Sequence, residues 1–589
     1  LEWQNAVGNT ASLQSIDKHF FISPTTYMNA KKILFVLATL FPLLASAQTS
    51  TVYYNGDILT MEGEKPQYVE AVVVQDRKIA YAGNIQEALV QAGNSPTLED
   101  LKGKTLLPGF IDSWGHFTLI AQNTLGVNLG YFSRKPPHTT QELISRLKTE
   151  ARPINGWIIG VEYADAFLTD GPLTIAKLDA AFPNQPVYVN NISTLTGIVN
   201  TAGLKKLGFT KATKVTQGML PVDPKTGKLT GELVGSPNFE ATAKAFGKYS
   251  RDLLMETYRK AEKIYASNGY TTAQSYQPTP EDLRNMRQAV EQKVVSLDLI
   301  ALPTSDVVDR LLEINPRYPF GIYTQGDGGF KVAGILVSTD GAPQLRLAYF
   351  TKPYLDTTGF PKNWRGMAVA TQDVIDHYAK LAYEKNIQYF GYSNGDAGID
   401  MTLAAIAKAI RKTGITEDRR TVISHSIFVR DDQLDQYKAY KILPQYMPNH
   451  IWMYGDVYKK ILGNDRTNNM LPLALTQAKG LPFGIHNDTP SSGPSALFTV
   501  WTSVNRKTYE GEIINPEQRI DPYTALRSFT ANPAYMYKEE ASKGSITAGK
   551  LADMVVLDRN PLKVDPMDIK DIQVIRTIKS GKEIYSAGN

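Results

Sequence analysis

Cysteine is absent from this chain of 589 residues, and histidine occurs only seven times. Without cysteine the protein cannot form a disulfide, a thiolate zinc site, a cysteine nucleophile or an iron–sulfur cluster. Any transition-metal site must therefore be built from the few histidines together with carboxylates. Each histidine can accordingly be considered in turn as a candidate ligand or catalytic group.

A strong charge of one sign and long apolar runs are also lacking. The net charge is +5, from 63 Lys and Arg against 58 Asp and Glu, and no basic run stands out, so nucleic acid is not expected as a partner. No segment after residue 47 is apolar enough to cross a membrane. With 42% hydrophobic and 21% charged residues, the composition is that of a globular protein with a large core.

The N-terminal region has the pattern of a secretory signal peptide. Two lysines follow Met28, an apolar stretch over 33–44 is too short to span a bilayer, and Ala-Ser-Ala follows at 45–47. We therefore predict upstream sequence at 1–27 and a signal peptide at 28–47. The mature protein is expected to be periplasmic or secreted, with no membrane association after cleavage.

The pattern of the mature chain changes twice. Strand patterns with turn signals prevail over 48–108 and return over 541–589, and we expect these two segments to pair into one composite β-sandwich domain. Over 109–540, short apolar runs alternate with amphipathic helical patterns, which is typical of an α/β fold with a parallel sheet and, with this many units, of a (β/α)8 TIM-like barrel. The predicted barrel strands include Trp157–Val161, Val187–Asn190, Tyr270–Gln274, Ile387–Ser393 and Arg420–Ser424.

One motif lies where the first barrel strand should end. Residues 106–117 read Leu-Leu-Pro-Gly-Phe-Ile-Asp-Ser-Trp-Gly-His-Phe, which resembles the Pro-Gly-Phe-Ile-Asp-x-His-x-His signature of the amidohydrolase superfamily. Further blocks in matching order resemble the amidohydrolase-3 branch, which includes N-substituted formamide deformylases and related exported proteins. These blocks lie at 266–274, 340–344, 394–400, 423–426, 486–490 and 548–553. The resemblance implies a metal-centred (β/α)8 barrel and a hydrolase that acts on C–N bonds other than peptide bonds.

Three metal-ligand positions of the family pattern are substituted in this chain. Trp114 replaces the first histidine of the His-x-His pair, Leu336 aligns with a lysine that bridges two metals, and Tyr392 replaces the histidine before Asn-Gly-Asp. The remaining family positions are filled by His116, His425 and Asp488. The resemblance therefore implies at most one divalent metal, zinc being the most suitable, held by these three residues.

The substitutions leave three interpretations open. The first is a mononuclear metal hydrolase, and the second is a metal-free lyase or isomerase in the same pocket. In either enzyme Asp488 acts as general base. In the metal-free enzyme His116 or His425 acts as a second acid or base, and the Tyr392 hydroxyl donates to an oxyanion or leaving group. The third is a non-catalytic protein that binds a small molecule. We predict the exported hydrolase.

Further residues are expected to contact a small organic substrate, because residues at the carboxyl ends of barrel strands line the active site. They are Trp114, Gln274, Asp340, His450, Tyr454 and His486. Asp396, beside a glycine at a strand-to-helix turn, is expected to cap the following helix instead. Whether the protein is a monomer or a homodimer is left open by the sequence.

Overall fold

The computed structural model describes residues 50–133, 135–326 and 328–588. The predicted signal peptide lies outside these residues. Within them, none of the helices combines the length and the apolar character that a bilayer crossing requires.

The strands form in the apolar, β-branched runs of the sequence. Those before the barrel are β1 (Thr51–Leu59), β2 (Tyr68–Gln75), β3 (Lys78–Gly83), β4 (Thr97–Asp100) and β5 (Thr105–Pro108). The next are β6 (Phe110–Ile111), β7 (Val127–Asn128), β8 (Ile158–Tyr163), β9 (Val187–Asn191), β10 (Thr196–Val199), β11 (Gly218–Met219) and β12 (Glu232–Gly235). They are followed by β13 (Tyr270–Tyr276), β14 (Asp298–Leu302), β15 (Phe330–Val332), β16 (Gly334–Ser338), β17 (Gln388–Ser393), β18 (Val422–His425), β19 (Leu443–Tyr446) and β20 (Gly484–Ile485). The C-terminal strands are β21 (Met554–Leu557), β22 (Val574–Lys579) and β23 (Lys582–Ser586).

The helices occupy the amphipathic segments between these strands. The first nine are α1 (Ile85–Ala92), α2 (Phe117–Asn123), α3 (Thr140–Glu150), α4 (Ile175–Ala181), α5 (Thr201–Leu207), α6 (Ser236–Phe246), α7 (Arg251–Ala266), α8 (Pro280–Glu291) and α9 (Ser305–Ile314). The others are α10 (Gln372–Lys385), α11 (Asp396–Thr413), α12 (Asp431–Ala439), α13 (Asn449–Leu462), α14 (Asn464–Asn468), α15 (Leu473–Ala478), α16 (Ala496–Asn505), α17 (Pro522–Arg527) and α18 (Ala531–Met536). In α7 the buried residues recur at three- and four-residue spacing, as Met255, Tyr258, Ala261 and Tyr265 illustrate, so one face of the helix packs on the barrel.

Both ends of the described chain contribute to one eight-stranded sheet, with the order β23-β22-β21-β5-β1-β2-β3 and β4 beside β1. The two ends meet where β5 and β21 pair in antiparallel register, with Leu107 opposite Val555. Side chains from both ends share one apolar cluster, which includes Ile58, Val72 and Met554. The predicted pairing of the two terminal segments is confirmed.

Nine parallel strands in two sheets form the barrel that carries the candidate site, and β15 and β16 together occupy one of its eight strand positions. One sheet has the order β15-β14-β13-β6 and the other β16-β17-β18-β19-β20, and only Ala333 separates β15 from β16. The sheets also meet at their other edges, where Gly115 forms a parallel bridge with Thr489. The polar residues that follow these strands are therefore gathered at the carboxyl end of the barrel, where enzymes of this architecture carry their active sites.

A six-stranded sheet with the order β11-β12-β10-β9-β8-β7 is inserted between the barrel strands β6 and β13. The prediction that Trp157–Val161 and Val187–Asn190 are barrel strands was therefore wrong. These segments form β8 and β9, which pair in parallel and are joined through α4. A strand–helix–strand unit of this kind has the same sequence pattern as a unit of the barrel.

Candidate active site

A cavity of about 610 Å³ opens at the carboxyl ends of the barrel strands. This volume is in the range of clefts that bind small organic molecules. Of the residues that the sequence analysis selected, the cavity wall contains Trp114, His116, Tyr392, His425, His450, Tyr454 and Asp488. The fold thus brings together side chains from the ends of four barrel strands and from the helix after a fifth.

His116 and Asp488 form a pair on this wall. The Nε2 atom of His116 lies 3.0 Å from the Oδ1 atom of Asp488, and the side chains are 21% and 15% exposed. Burial alone would raise the pKa of Asp488, but the hydrogen bond with His116 is the main opposing effect and helps to hold the pKa well below its usual range. Asp488 is therefore an anion that faces the cavity.

The turn after β6 places His116 opposite this carboxylate. At Gly115 a Cβ atom would lie 1.9 Å from the Oδ2 atom of Asp112, so no larger residue fits. The backbone N–H of Gly115 donates to the Gln274 side chain at 3.0 Å, and the N–H of His116 donates to the Thr489 carbonyl at 3.0 Å. These hydrogen bonds hold the turn between β13, which contains Gln274, and the segment after β20, which contains Thr489.

A second group lies behind the pair. Nitrogen atoms of His425 and His486 and a carboxylate oxygen of Asp488 lie within 4.8 Å of one another. Within the described part of the chain, neither ring nitrogen of either histidine has a hydrogen-bond partner, although both rings are buried. Buried polar atoms normally have a partner, and leaving one without costs about 1–3 kcal/mol. The unpartnered nitrogens therefore indicate that these two rings are arranged to bind a ligand or a metal ion.

The chemistry of this group fits one divalent ion. Burial lowers the pKa of His425 to about 4 and the pKa of His486 well below its usual value, so both rings are neutral. Two neutral imidazoles and a carboxylate form a recognised zinc ligand set that leaves a coordination position open. The sequence-based set contained His116 in place of His486. The signal for His486 was its spacing of two residues from Asp488, which places both on one side of the strand end.

Aromatic rings surround His425 where the family pattern has metal ligands. Trp114 stacks on Tyr392 with 5.7 Å between ring centres, and each contacts the His425 ring edge-on, at 5.5 Å and 4.5 Å respectively. Burial raises the pKa of Tyr392 well above its usual value, so its hydroxyl keeps its proton and can donate a hydrogen bond. Within the described ranges, the His and acidic residues form a single candidate group for a metal ion.

His450 has a fixed orientation on the cavity wall. Its Nδ1 atom lies 2.6 Å from the hydroxyl of Tyr458, and that hydroxyl donates to the Oε1 atom of Gln344 at 3.4 Å. Either atom of the shorter contact can be the donor, according to the tautomer of the His450 ring. Burial lowers the pKa of His450 to about 3, which keeps the ring neutral.

Three of the selected residues do not form part of the cavity wall: Gln274, Asp340 and His486. The carboxylate of Asp340 accepts hydrogen bonds from the backbone N–H groups of Asn394 and Gly395 at 2.8 Å, ahead of α11. Asp396, which the sequence analysis assigned to capping, instead accepts from the backbone N–H of Thr351 at 2.9 Å. Asp340 therefore fixes the turn before α11, whose N-cap residue is Gly395 and which has no side-chain cap.

The sequence motifs do not include the part of the cavity wall that comes from the insertion and from α8. The residues concerned are Ser193, Thr194, Leu195, Phe239, Tyr249 and Asp282. No motif marks them, because they reach the cavity through the position of the inserted sheet and not through a local pattern. Thr194 has φ of 62°, a left-handed conformation that turns the chain after β9.

Comparison with known proteins agrees with this arrangement. The model of the amidohydrolase family matches residues 97–585. The chain is 24% identical to the putative amidohydrolase YtcJ of Bacillus subtilis, over 91% of this chain and 99% of that protein. It is also 24% identical to an N-substituted formamide deformylase of Arthrobacter pascens, over 90% of this chain and 96% of the deformylase.

Solved structures share the fold. An uncharacterised metal-dependent hydrolase of Pyrococcus horikoshii superimposes with a TM-score of 0.70 at 23% identity, over 88% of this chain and 99% of that chain. A similar protein of Pyrococcus furiosus gives a TM-score of 0.68 at 21% identity, over 87% and 100% of the two chains. Because the family model spans most of the sequence and the fold agrees, the protein belongs to the amidohydrolase family.

Proposed function

We propose that the protein is an exported hydrolase that cleaves an amide-type C–N bond, other than a peptide bond, in a small organic molecule. The observation that carries the proposal is the His116–Asp488 pair, which faces a cavity of about 610 Å³ in a chain of the amidohydrolase family. The similarity to an N-substituted formamide deformylase supports an amide substrate.

The pair can perform the two proton transfers that hydrolysis requires. Asp488 accepts a proton from the attacking water as the water oxygen bonds to the substrate carbonyl carbon. When the C–N bond breaks, the leaving nitrogen must gain a proton. His116 is hydrogen-bonded to Asp488 on the cavity wall, and we assign it the transfer of this proton to the amine.

Tyr392 and His450 are the groups that hold the substrate. The protonated Tyr392 hydroxyl can donate to the oxygen that becomes negatively charged when water attacks. The Nε2 atom of His450 can accept a hydrogen bond from a substrate group or donate one to it, according to the tautomer of the ring. The stacked Trp114 and Tyr392 rings make part of the wall apolar, which suits an organic substituent.

One divalent ion, preferably zinc, is proposed as a cofactor, held by His425, His486 and Asp488. When bound there, such an ion would polarise the carbonyl and increase the acidity of water. The unpartnered ring nitrogens of the two histidines support this assignment.

The test is to incubate a panel of neutral N-formyl and N-acetyl amines with the purified full chain in zinc-buffered solution and to measure the free amine that is released. Release of free amine, above that seen with heat-denatured protein, is the expected result. Absence of amine release across the panel, together with retained binding of the same amides, would favour a non-catalytic binding protein.

Export is proposed from the sequence pattern at 28–47. The expected result is that the mature protein from expressing bacteria is found outside the cytoplasm and begins at residue 48, as determined by N-terminal sequencing. A cytoplasmic protein that retains residues 28–47 would contradict this part of the proposal.

A further inference from the structure

The charged side chains on the cavity wall are all acidic apart from the histidines. Among the described residues, no lysine or arginine lines the cavity, whereas Asp282 and Asp488 do. His116 pairs with Asp488 at 3.0 Å, whereas Asp282 forms no ion pair within the described part of the chain. A ligand group that lies beside Asp282 therefore meets negative charge and no lysine or arginine side chain of the wall.

Asp282 belongs to a side of the wall remote in sequence from the catalytic pair. It lies in the first turn of α8, where its Oδ2 atom accepts from the backbone N–H and the hydroxyl of Thr279, at 2.9 Å and 2.7 Å. These two bonds fix the orientation of the carboxylate. A carboxylate has about four lone-pair sites, so Oδ1 still has the capacity to accept from a ligand.

The remaining wall groups suit a cation or a neutral donor of hydrogen bonds. Tyr249 and Phe239 supply aromatic rings, and Gln122, Gln277 and Gln344 supply amide groups. Aromatic faces attract cations by about 0.5–2 kcal/mol, depending on solvent exposure. An anionic group beside Asp282 would lose part of its hydration without gaining a lysine or arginine partner, which is unfavourable in a partly buried site.

We propose that the cavity selects its substrates by charge. It accepts amides whose group remote from the scissile bond is cationic or a neutral hydrogen-bond donor, and it discriminates against amides that carry a carboxylate or phosphate there. Asp282 is the residue that determines this preference. The inference rests on the proposed hydrolase function and names its substrate class.

The test uses three N-acetyl alkylamines of equal length that end in a trimethylammonium, a hydroxyl or a carboxylate group. Dissociation constants are measured by calorimetry, and kcat/KM is measured by amine release, both with the full chain. We expect the cationic amide to bind at least about 10-fold more tightly than the anionic one, with a ratio that decreases at higher salt.

Two variants assign the preference to one residue. Asp282→Asn keeps an oxygen that can accept from Thr279, and it is expected to reduce the cation-to-anion ratio to within about threefold. Glu281→Gln removes an exposed carboxylate from the same turn of α8 that does not line the cavity, and the ratio should persist. Thermal unfolding of both variants verifies that the helix is intact.

The possible failures are distinguishable. Equal binding of the three amides, tighter binding of the anionic one, undetectable binding of all three, or a ratio unaffected by Asp282→Asn would overturn the charge inference, even if amides are hydrolysed. Charge-selective binding without amine release would sustain the inference and contradict the proposed hydrolase function.

Discussion

Asp112 shows how a single buried group in the turn before His116 can make stability depend on pH. The side chain is 2% exposed and accepts a hydrogen bond from the hydroxyl of Tyr265 at 3.0 Å, with no lysine or arginine bonded to it in the described structure. Burial raises the pKa of Asp112 to about 7, against an opposing effect of its hydrogen bonds. The folded protein thus holds this proton over a range of pH in which the unfolded chain has lost it.

The first prediction concerns Asp112→Asn. Between about pH 4 and pH 7 the folded state binds more protons at this site than the unfolded state, so the site makes the free energy of unfolding fall as pH rises. The variant lacks this contribution, so its stability relative to the unmodified protein should increase by at most about 1.4 kcal/mol for each pH unit from pH 5 to pH 7 and level off above pH 7. Urea unfolding at several pH values measures it.

The control for this prediction is Asp373→Asn, which changes an exposed carboxylate in the first turn of α10. Its stability difference from the unmodified protein should be small and nearly the same at each pH. A constant difference for Asp112→Asn as well would show that Asp112 does not hold a proton in the folded state.

His486 is the residue for which the structure adds most to the sequence analysis. We predict that the full chain binds about one zinc ion and that His486→Asn weakens the binding by at least about 10-fold, because a ligand is lost from a set of three. Zinc titration by calorimetry, with metal content by mass spectrometry, is the measurement. His377→Asn, on the exposed side of α10, is the matched control and should bind zinc normally.

Two results would contradict the zinc assignment. One is a purified protein that binds no zinc at micromolar concentrations, and the other is a His486→Asn variant whose affinity equals that of the His377→Asn control. Either result would mean that the unpartnered nitrogens of His425 and His486 do not belong to a zinc site.

At the scale of elements, buried ion pairs join the C-terminal sheet to the barrel. Lys579 in β22 lies 2.5 Å from the Oδ2 atom of Asp298 in β14 and 2.6 Å from the Oδ2 atom of Asp553, and the three side chains are at most 6% exposed. Lys543 also contacts Asp298 at 2.5 Å, and Lys331 in β15 contacts Glu539. Each charge in this cluster is therefore compensated by a neighbour.

We predict that Lys579→Met lowers the free energy of unfolding by about 3–5 kcal/mol, because it leaves carboxylate charge buried without sufficient compensation. Lys260→Met is the matched control. Lys260 pairs with Glu256 within α7, both are about half exposed, and its loss should cost at most about 1 kcal/mol. Chemical denaturation measures both variants. An equal effect of the two substitutions would mean that the buried cluster does not stabilise the association of these elements.

The sequence predicted these elements unevenly. Barrel strands such as Tyr270–Tyr276 and Gln388–Ser393 were recognisable because they are short buried runs between amphipathic helices. The inserted strands β8 and β9 have the same local pattern, and only their pairing distinguishes them from barrel strands. The ion-pair cluster was not predicted, because its lysines and carboxylates come from distant parts of the chain and resemble ordinary surface residues in sequence.

At the scale of the whole molecule, the family motifs were sufficient to predict the architecture and most of the residues of the strand ends that line the cavity. The strand-rich segments before and after the barrel sequence form one sheet, as predicted. His116, His425 and Asp488 meet at one cavity because each lies at or just after the carboxyl end of a barrel strand. The wall formed by the insertion could not be predicted, since the placement of that sheet over the barrel depends on long-range packing.

The central claim is that Asp488 performs the chemistry of hydrolysis in this cavity. Asp488 has φ of 56°, a conformation that asparagine also tolerates, so Asp488→Asn removes the base with little change of shape. The decisive measurement is kcat for amine release by Asp488→Asn and by the unmodified protein, on an amide from the panel that the latter cleaves. We predict a loss of about 10²–10⁴-fold in kcat for a variant that remains folded, as circular dichroism verifies. An unchanged kcat on that amide would contradict the account.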